Sequence, residues 1–148
     1  MSELEPLLKA DDLSKRYEDG VLALDHLNLS VLPGEVYCLL GANGAGKTTT
    51  INLFLNFIPP TTGTCFIKGI DVTRDPLEAK KHVAFVSENV MLYGNFTARQ
   101  NLEFFAKLGG RTGLTKEDCH QVMRRVSLQE KAFEQRVKTF SKGMRQKL

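Results

Sequence analysis

The chain has 148 residues, 42% apolar and 25% charged, which is one domain's worth of an ordinary water-soluble fold with enough apolar side chains for a real core. Its 20 basic and 17 acidic residues leave a net charge of +3 with no basic block, so no nucleic-acid partner is expected. No apolar run approaches the ~18 residues of a membrane span, and the acidic start Met1-Ser2-Glu3-Leu4-Glu5 is unlike a secretory signal.

Residues Leu7 to Tyr17 predict a strand, and Glu18-Asp19-Gly20 a turn. Leu27, Leu29 and Val31 alternate with Asn28 and Ser30, the period of a half-buried strand, so an antiparallel hairpin opens the chain. Pro33-Gly34 turns it into Val36-Tyr37-Cys38-Leu39-Leu40, a continuous apolar run predicted to be a strand buried on both faces. Directly after it, Gly41-Ala42-Asn43-Gly44-Ala45-Gly46-Lys47-Thr48 satisfies G-x-x-x-x-G-K-[ST] at every fixed position. Glycines there let the backbone curl until successive N–H groups face one point, and the following helix adds its positive end. Lys47 is then the candidate for the β- and γ-phosphates, and Thr48 offers a hydroxyl to Mg²⁺.

From Thr49 the helix carries Ile51, Leu53, Phe54, Leu55, Phe57 and Ile58 and stops at Pro59-Pro60, which predicts an interior helix. Thr64 to Ile67 and Ile70 to Val72, joined at Lys68-Gly69, predict a short hairpin, and Pro76 opens a brief helix through Lys81. Val83-Ala84-Phe85-Val86 predicts a second buried strand, ending in Ser87-Glu88. Thr97 with Gln100 is a capping box, starting a helix whose face is Ala98, Leu102, Phe105 and Ala106 and which ends at Gly109-Gly110. Thr115 opens another, with Cys119, Val122, Met123 and Val126 on one face. A last helix begins at Phe140-Ser141-Lys142-Gly143 and is cut at Leu148, as expected of a fragment. Cys38, Cys65 and Cys119, three in number and apart, are expected to be reduced core thiols of a cytosolic protein.

In this order the pieces resemble the nucleotide-binding domain of an ABC transporter, from about Leu7 to Leu148. The resemblance implies an α/β P-loop NTPase fold with an N-terminal antiparallel β subdomain and a helical subdomain, truncated before the Walker B strand. Residues 1–148 would then be the N-terminal part of one such domain, divided at about 86/87. It implies ATP and Mg²⁺ as ligands. Tyr17 would stack on adenine, with Ala23 a small contact under the same base. Asn43, Gly44, Ala45, Gly46, Lys47 and Thr48 would hold the β- and γ-phosphates, and Thr49 the α-phosphate. Phe140-Ser141-Lys142-Gly143-Met144 resembles the signature motif, usually Leu-Ser-Gly-Gly-Gln, so Ser141 and Gly143 would meet the ATP of a second domain in a head-to-tail dimer. Lys142 and Met144 depart from the common form in the manner of bacterial exporter ATPases.

Glu88 stands where the family's Q-loop glutamine ligates Mg²⁺; a carboxylate there would hold the ion more tightly and more pH-dependently. Alternatively, Val83 to Glu88 is an apolar strand closing in Asp-Glu, with Ser87 where the Asp must be. Leu92, Tyr93 and Phe96 fall in the segment that meets a membrane permease, or else fold onto the helical lobe. The implied role is the ATPase subunit of a transporter, cytoplasmic and peripheral at the inner face of the membrane through that permease. Lys47 and Glu88 are the catalytic candidates. The fragment alone is expected not to hydrolyse ATP, since the Walker B Asp, catalytic Glu and switch His of the family follow the signature motif. A non-transport soluble ABC ATPase and a catalytically silent nucleotide-binding fragment are the alternatives; a nucleotide kinase or GTPase is disfavoured by the leading hairpin.

Overall fold

A computed structural model describes residues 5–87 and 90–148. The chain divides into two compact units, one running to Phe85 and one from Val86 to Leu148. The first is built on β1 (Leu8–Arg16), β2 (Leu22–Val31), α1 (Lys47–Phe54), β3 (Thr62–Ile67), β4 (Ile70–Asp71) and α2 (Pro76–Lys80). Its strands form one antiparallel sheet in the order β2-β1-β3-β4, so both predicted hairpins are present.

Strand β1 is central, and its inward residues skip a beat. Ala10 and Leu13 are both buried because Asp12, with φ 50°, is an extra residue in the ladder. His26, with φ 47°, makes the matching irregularity in β2, and the two are tied by a 2.6 Å bond between Asp12 Oδ1 and His26 Nδ1. On the other side a Cβ on Gly63 would lie 2.2 Å from the Asp12 carbonyl oxygen, so only glycine lets β3 pass the bulge. Ala10, Leu13, Cys65 and Ile67 face Leu53 and Phe54 of α1, with Val72 and Ala79 closing the core.

Several sequence expectations fail here. Neither Val36–Leu40 nor Val83–Val86 is a strand, and neither is buried: Val36 is 94% exposed, Leu40 90% and Val86 78%. Apolar content asks for burial, but a parallel strand also needs neighbours for its N–H and C=O groups. Among the described residues the only sheet is antiparallel, and the two runs do not pair with each other. They border an open apolar hollow of about 540 Å³ lined by Val31, Leu39, Phe54, Leu55 and Val83. Cys38 rides on the first run and is exposed, contrary to the core position expected of it, whereas Cys65 and Cys119 are buried. Helix α1 ends at Phe54, earlier than predicted, and is buried on one side only, with Ile51 38% exposed and Phe57 beyond it 61%.

The second unit holds α3 (Ala98–Leu108), α4 (Lys116–Arg125) and α5 (Lys142–Lys147), with 3-10 turns at Glu130–Ala132 and Val137–Thr139. Both long helices start in reciprocal capping boxes, Thr97 with Gln100 and Thr115 with Asp118, each satisfying two otherwise unpaired amides. The hydroxyl of Thr115 beside it holds the Asp118 carboxyl below its usual range. Ala98, Cys119, Met123, Leu128, Phe133 and Val137 form the core. Val122 and Val126 lie at its margin, 46% and 41% exposed, so the apolar face of α4 is narrower than its sequence pattern.

Candidate functional site

The loop that joins residue 40 to α1 is shaped by two glycines. Gly44 and Gly46 have φ of 85° and 82°, left-handed values alternating with ordinary ones, which is how a chain curls its amides toward one point. Gly46 is also the N-cap of α1, and a Cβ there would stand 2.5 Å from the Ala23 carbonyl oxygen. The loop therefore rests against the start of β2, and Ala23 acts as its buttress through backbone. The Ala45 N–H bonds the Ala42 carbonyl at 3.2 Å; among the described residues the amides of Gly44, Gly46, Lys47 and Thr48 have no protein acceptor. Such a cluster of free donors at a helix start fits an anion.

Lys47 turns back over this loop, its ammonium donating to the carbonyls of Gly41 and Ala42, both at 2.7 Å. Thr50 fixes the turn from below: its amide and its hydroxyl both donate to Gly46 O, at 2.8 and 2.9 Å. Thr48 is exposed, whereas Thr49 is buried, its hydroxyl 3.4 Å from that of Tyr17. Tyr17 directly follows β1, 37% exposed, with the Lys15 ammonium 5.5 Å from its ring centroid. Asn43 and Ala45 are exposed on the loop. The first unit thus brings together Tyr17, Ala23 and the run from Asn43 to Thr49.

The second unit carries Ser141 and Gly143. Ser141 is the N-cap of α5, its Oγ accepting from the Met144 amide at 3.2 Å. Gly143 has nothing within 4 Å of the place a Cβ would take and no left-handed φ, so the chain's own packing does not demand glycine there. Glu88, expected as a metal ligand, lies outside the described residues. No group of three His, Cys, Asp or Glu able to hold a metal occurs among the described residues. The exposed Thr48 hydroxyl therefore fits an ion that brings most of its own oxygen ligands, as Mg²⁺ on a nucleotide does.

Three features escaped the sequence reading. Thr50 as a brace for the loop could have been suspected from the run Thr48-Thr49-Thr50, but Lys15 above Tyr17 and the buried Asn101 in α3 leave no pattern. The thiol of Cys65, beneath α1, is pushed up to about 12 by burial and the nearby Asp71 charge, which makes it inert. In the helical unit Arg99 is pinned between Glu134 and Glu103, and its guanidinium holds the Glu134 carboxyl below the usual range.

The family model described as ABC transporter matches residues 24–148. The bacitracin transport ATP-binding protein BcrA of Bacillus licheniformis is 37% identical over 146 residues, covering 98% of this chain and 46% of its own length. The human phospholipid-transporting ATPase ABCA3 is 33% identical over 148 residues, 95% of this chain and 8% of that one. Among solved structures, the ATP-binding cassette MJ0796, in a dimer bound to ADP and Pi, superposes with a TM-score of 0.79 at 25% identity, covering 95% of this chain and 66% of the other. The chain spans less than half the length of these curated relatives. With the family model matching most of its length, the chain belongs to the ABC transporter family.

Proposed function

We propose that the chain binds ATP with Mg²⁺ through the Gly41–Thr49 loop, as part of the ATPase subunit of a membrane transporter. The observation that carries this reading is the loop itself: two left-handed glycines, a set of amides without acceptors among the described residues, and a lysine parked on neutral carbonyls. Lys47 exchanges Gly41 O and Ala42 O for charged phosphate oxygens, a stronger partner for an ammonium. The amides of Gly44, Gly46, Lys47 and Thr48 need no rearrangement of side chains to donate to the same anion. Thr48 contributes its hydroxyl, and Glu88 a carboxylate oxygen, to the metal. Mg²⁺, once bound, neutralises charge on the phosphates. Tyr17 presents an aromatic face to the base, fixed at its far end by Thr49.

A second cassette, paired head to tail, completes the site in the intact protein, with Ser141 and Gly143 facing the partner's nucleotide. The open space at Gly143 supports this, since the residue's smallness serves no neighbour among the described residues of its own chain. So does the dimeric form in which the similar cassette MJ0796 was solved. Tyr93 and Phe96, half-exposed, meet the permease, which places the protein at the cytoplasmic face of a membrane; no helix among the described residues is long and apolar enough to cross one. Relatives named for bacitracin and for phospholipid share this stretch, so cargo is read by the permease.

By itself the 148-residue chain binds nucleotide without turnover, because no Asp-Glu pair closes an apolar run in it. Phosphate release measured beside analogue binding tests both points together. Binding with no release above buffer is expected of this chain, and release with recovery of a membrane subunit is expected of the full-length protein. Turnover by the 148 residues, or recovery of the full-length protein with DNA or ribosomes in place of a membrane subunit, would overturn the reading.

A further inference from the structure

Asn101, at the end of the first turn of α3, is wholly buried, and no motif asks for an amide there. Its side chain is spent on backbone. Oδ1 accepts from the Tyr93 N–H at 2.8 Å, and Nδ2 donates to the carbonyls of Tyr93 at 3.1 Å and Thr97 at 3.0 Å. Tyr93 is therefore gripped at both its backbone groups, as a neighbouring strand would grip it. The same short segment is stitched on its other side. The amide of Val137 donates to Phe96 O and that of Lys138 to Gly94 O, both at 2.9 Å, and Thr97 pairs with Arg136 in an isolated bridge. A Cβ on Gly94 would already touch Lys138 Cβ at 3.4 Å. Three residues beyond Lys138 stands Ser141.

What this clamp holds up is a set of rings. Tyr93, half-exposed, lies edge-on to Phe104 at 4.9 Å and tilted against Phe96 at 5.3 Å. A turn carrying exposed rings bends under load unless its backbone is fixed, and here the fixing groups are Asn101 on one side and residues 136–138 on the other. We propose that Asn101 is a positioning residue: it makes the Tyr93–Phe96 surface one rigid piece with the stretch leading to Ser141, so that displacement of the rings by a membrane subunit reaches Ser141 undiminished. This rests on the reading above that the rings meet a permease.

The test uses the full-length subunit with the membrane subunit that accompanies it, in nanodiscs. Asn101→Leu keeps the volume and removes all three bonds; Asn101→Asp keeps the acceptor for Tyr93 N–H and sets a carboxylate oxygen against two carbonyls. Thr97→Ala is the control, because it removes the α3 cap and leaves the Asn101 bonds in place. Both Asn101 variants lower permease-stimulated ATP hydrolysis about tenfold while affinity for a fluorescent ATP analogue stays within about twofold, the range a coupling residue spans. Amide exchange quickens at Tyr93–Thr97 and not in α4. Thr97→Ala, matched or lower in thermal stability, retains its stimulation. Stimulation intact in Asn101→Leu, unchanged exchange at Tyr93, or an equal loss in Thr97→Ala would each overturn the positioning role. Absence of stimulation or of any membrane subunit with the unmodified protein would instead overturn the permease reading beneath it.

Discussion

Gly46→Ala, set against Gly44→Ala, separates two demands that one loop makes on glycine. Both positions are left-handed, so each alanine pays a conformational penalty of about 1–2 kcal/mol. At Gly44 nothing lies within 4 Å of the new methyl, and the penalty ends there. At Gly46 the methyl would sit 2.5 Å from the Ala23 carbonyl oxygen, almost an ångström inside ordinary contact, and the obstacle is backbone in β2 that no rotamer change relieves. Forcing loop and strand apart adds about 1–3 kcal/mol, the usual cost of overpacking. Gly46→Ala therefore destabilises the first unit by roughly 2–5 kcal/mol, and it also swings the Lys47 amide away from its neighbours. Urea unfolding of both variants, followed by titration of any folded protein with a fluorescent ATP analogue, measures both effects. Equal stability losses in the two variants would refute the claim that the loop leans on Ala23.

Of the three thiols, Cys38 reacts quickly with a maleimide in the native 148-residue chain, while Cys65, with its thiol raised to about 12, and Cys119 wait for unfolding; mass spectrometry of the labelled protein counts them, and uniform labelling contradicts the assignment. Tyr17→Phe keeps the ring and costs little nucleotide affinity, whereas Tyr17→Ala weakens binding by about 1–3 kcal/mol if the ring stacks on a base; equal affinities for the two in calorimetry would remove Tyr17 from the site. The His26 imidazole is raised above its ordinary 6.5, first by its hydrogen bond to Asp12 and then by the Asp12 and Asp25 charges. The stabilisation it brings is therefore full below 6.5 and lost as pH rises through the higher folded value. The stability difference between wild type and His26→Gln, followed by chemical unfolding, shrinks on going from acid to alkaline pH; a difference that grows would reverse the sign.

Features that a few neighbouring residues decide were legible in the sequence. Thr97 with Gln100 and Thr115 open helices where their side chains reach back to free amides, and Lys68-Gly69 closes a hairpin because both can take a left-handed φ. The bend before α1 belongs to the same class: its shape is set by Gly44 and Gly46 and the helix behind them. What misled was apolar content without a partner. Val36–Leu40 and Val83–Val86 have the composition of buried strands, but burial of a strand is a property of its neighbours, and none of the described residues pairs with them. Asn101 was invisible for the opposite reason. A polar residue in an amphipathic helix ordinarily faces water, and only the fold brings the Tyr93 backbone to its side chain. The bulge pair Asp12 and His26 likewise follows from two ladders meeting, which neither strand's pattern announces.

The central claim, that the Gly41–Thr49 loop holds nucleoside triphosphate phosphates, is tested most directly by equilibrium titration of a fluorescent ATP analogue with Mg²⁺ into the chain and into Lys47→Ala. Charge-assisted bonds of about 1.5–3 kcal/mol from the ammonium predict a loss of affinity of roughly 10- to 150-fold in the variant. Unchanged affinity in Lys47→Ala would contradict the account.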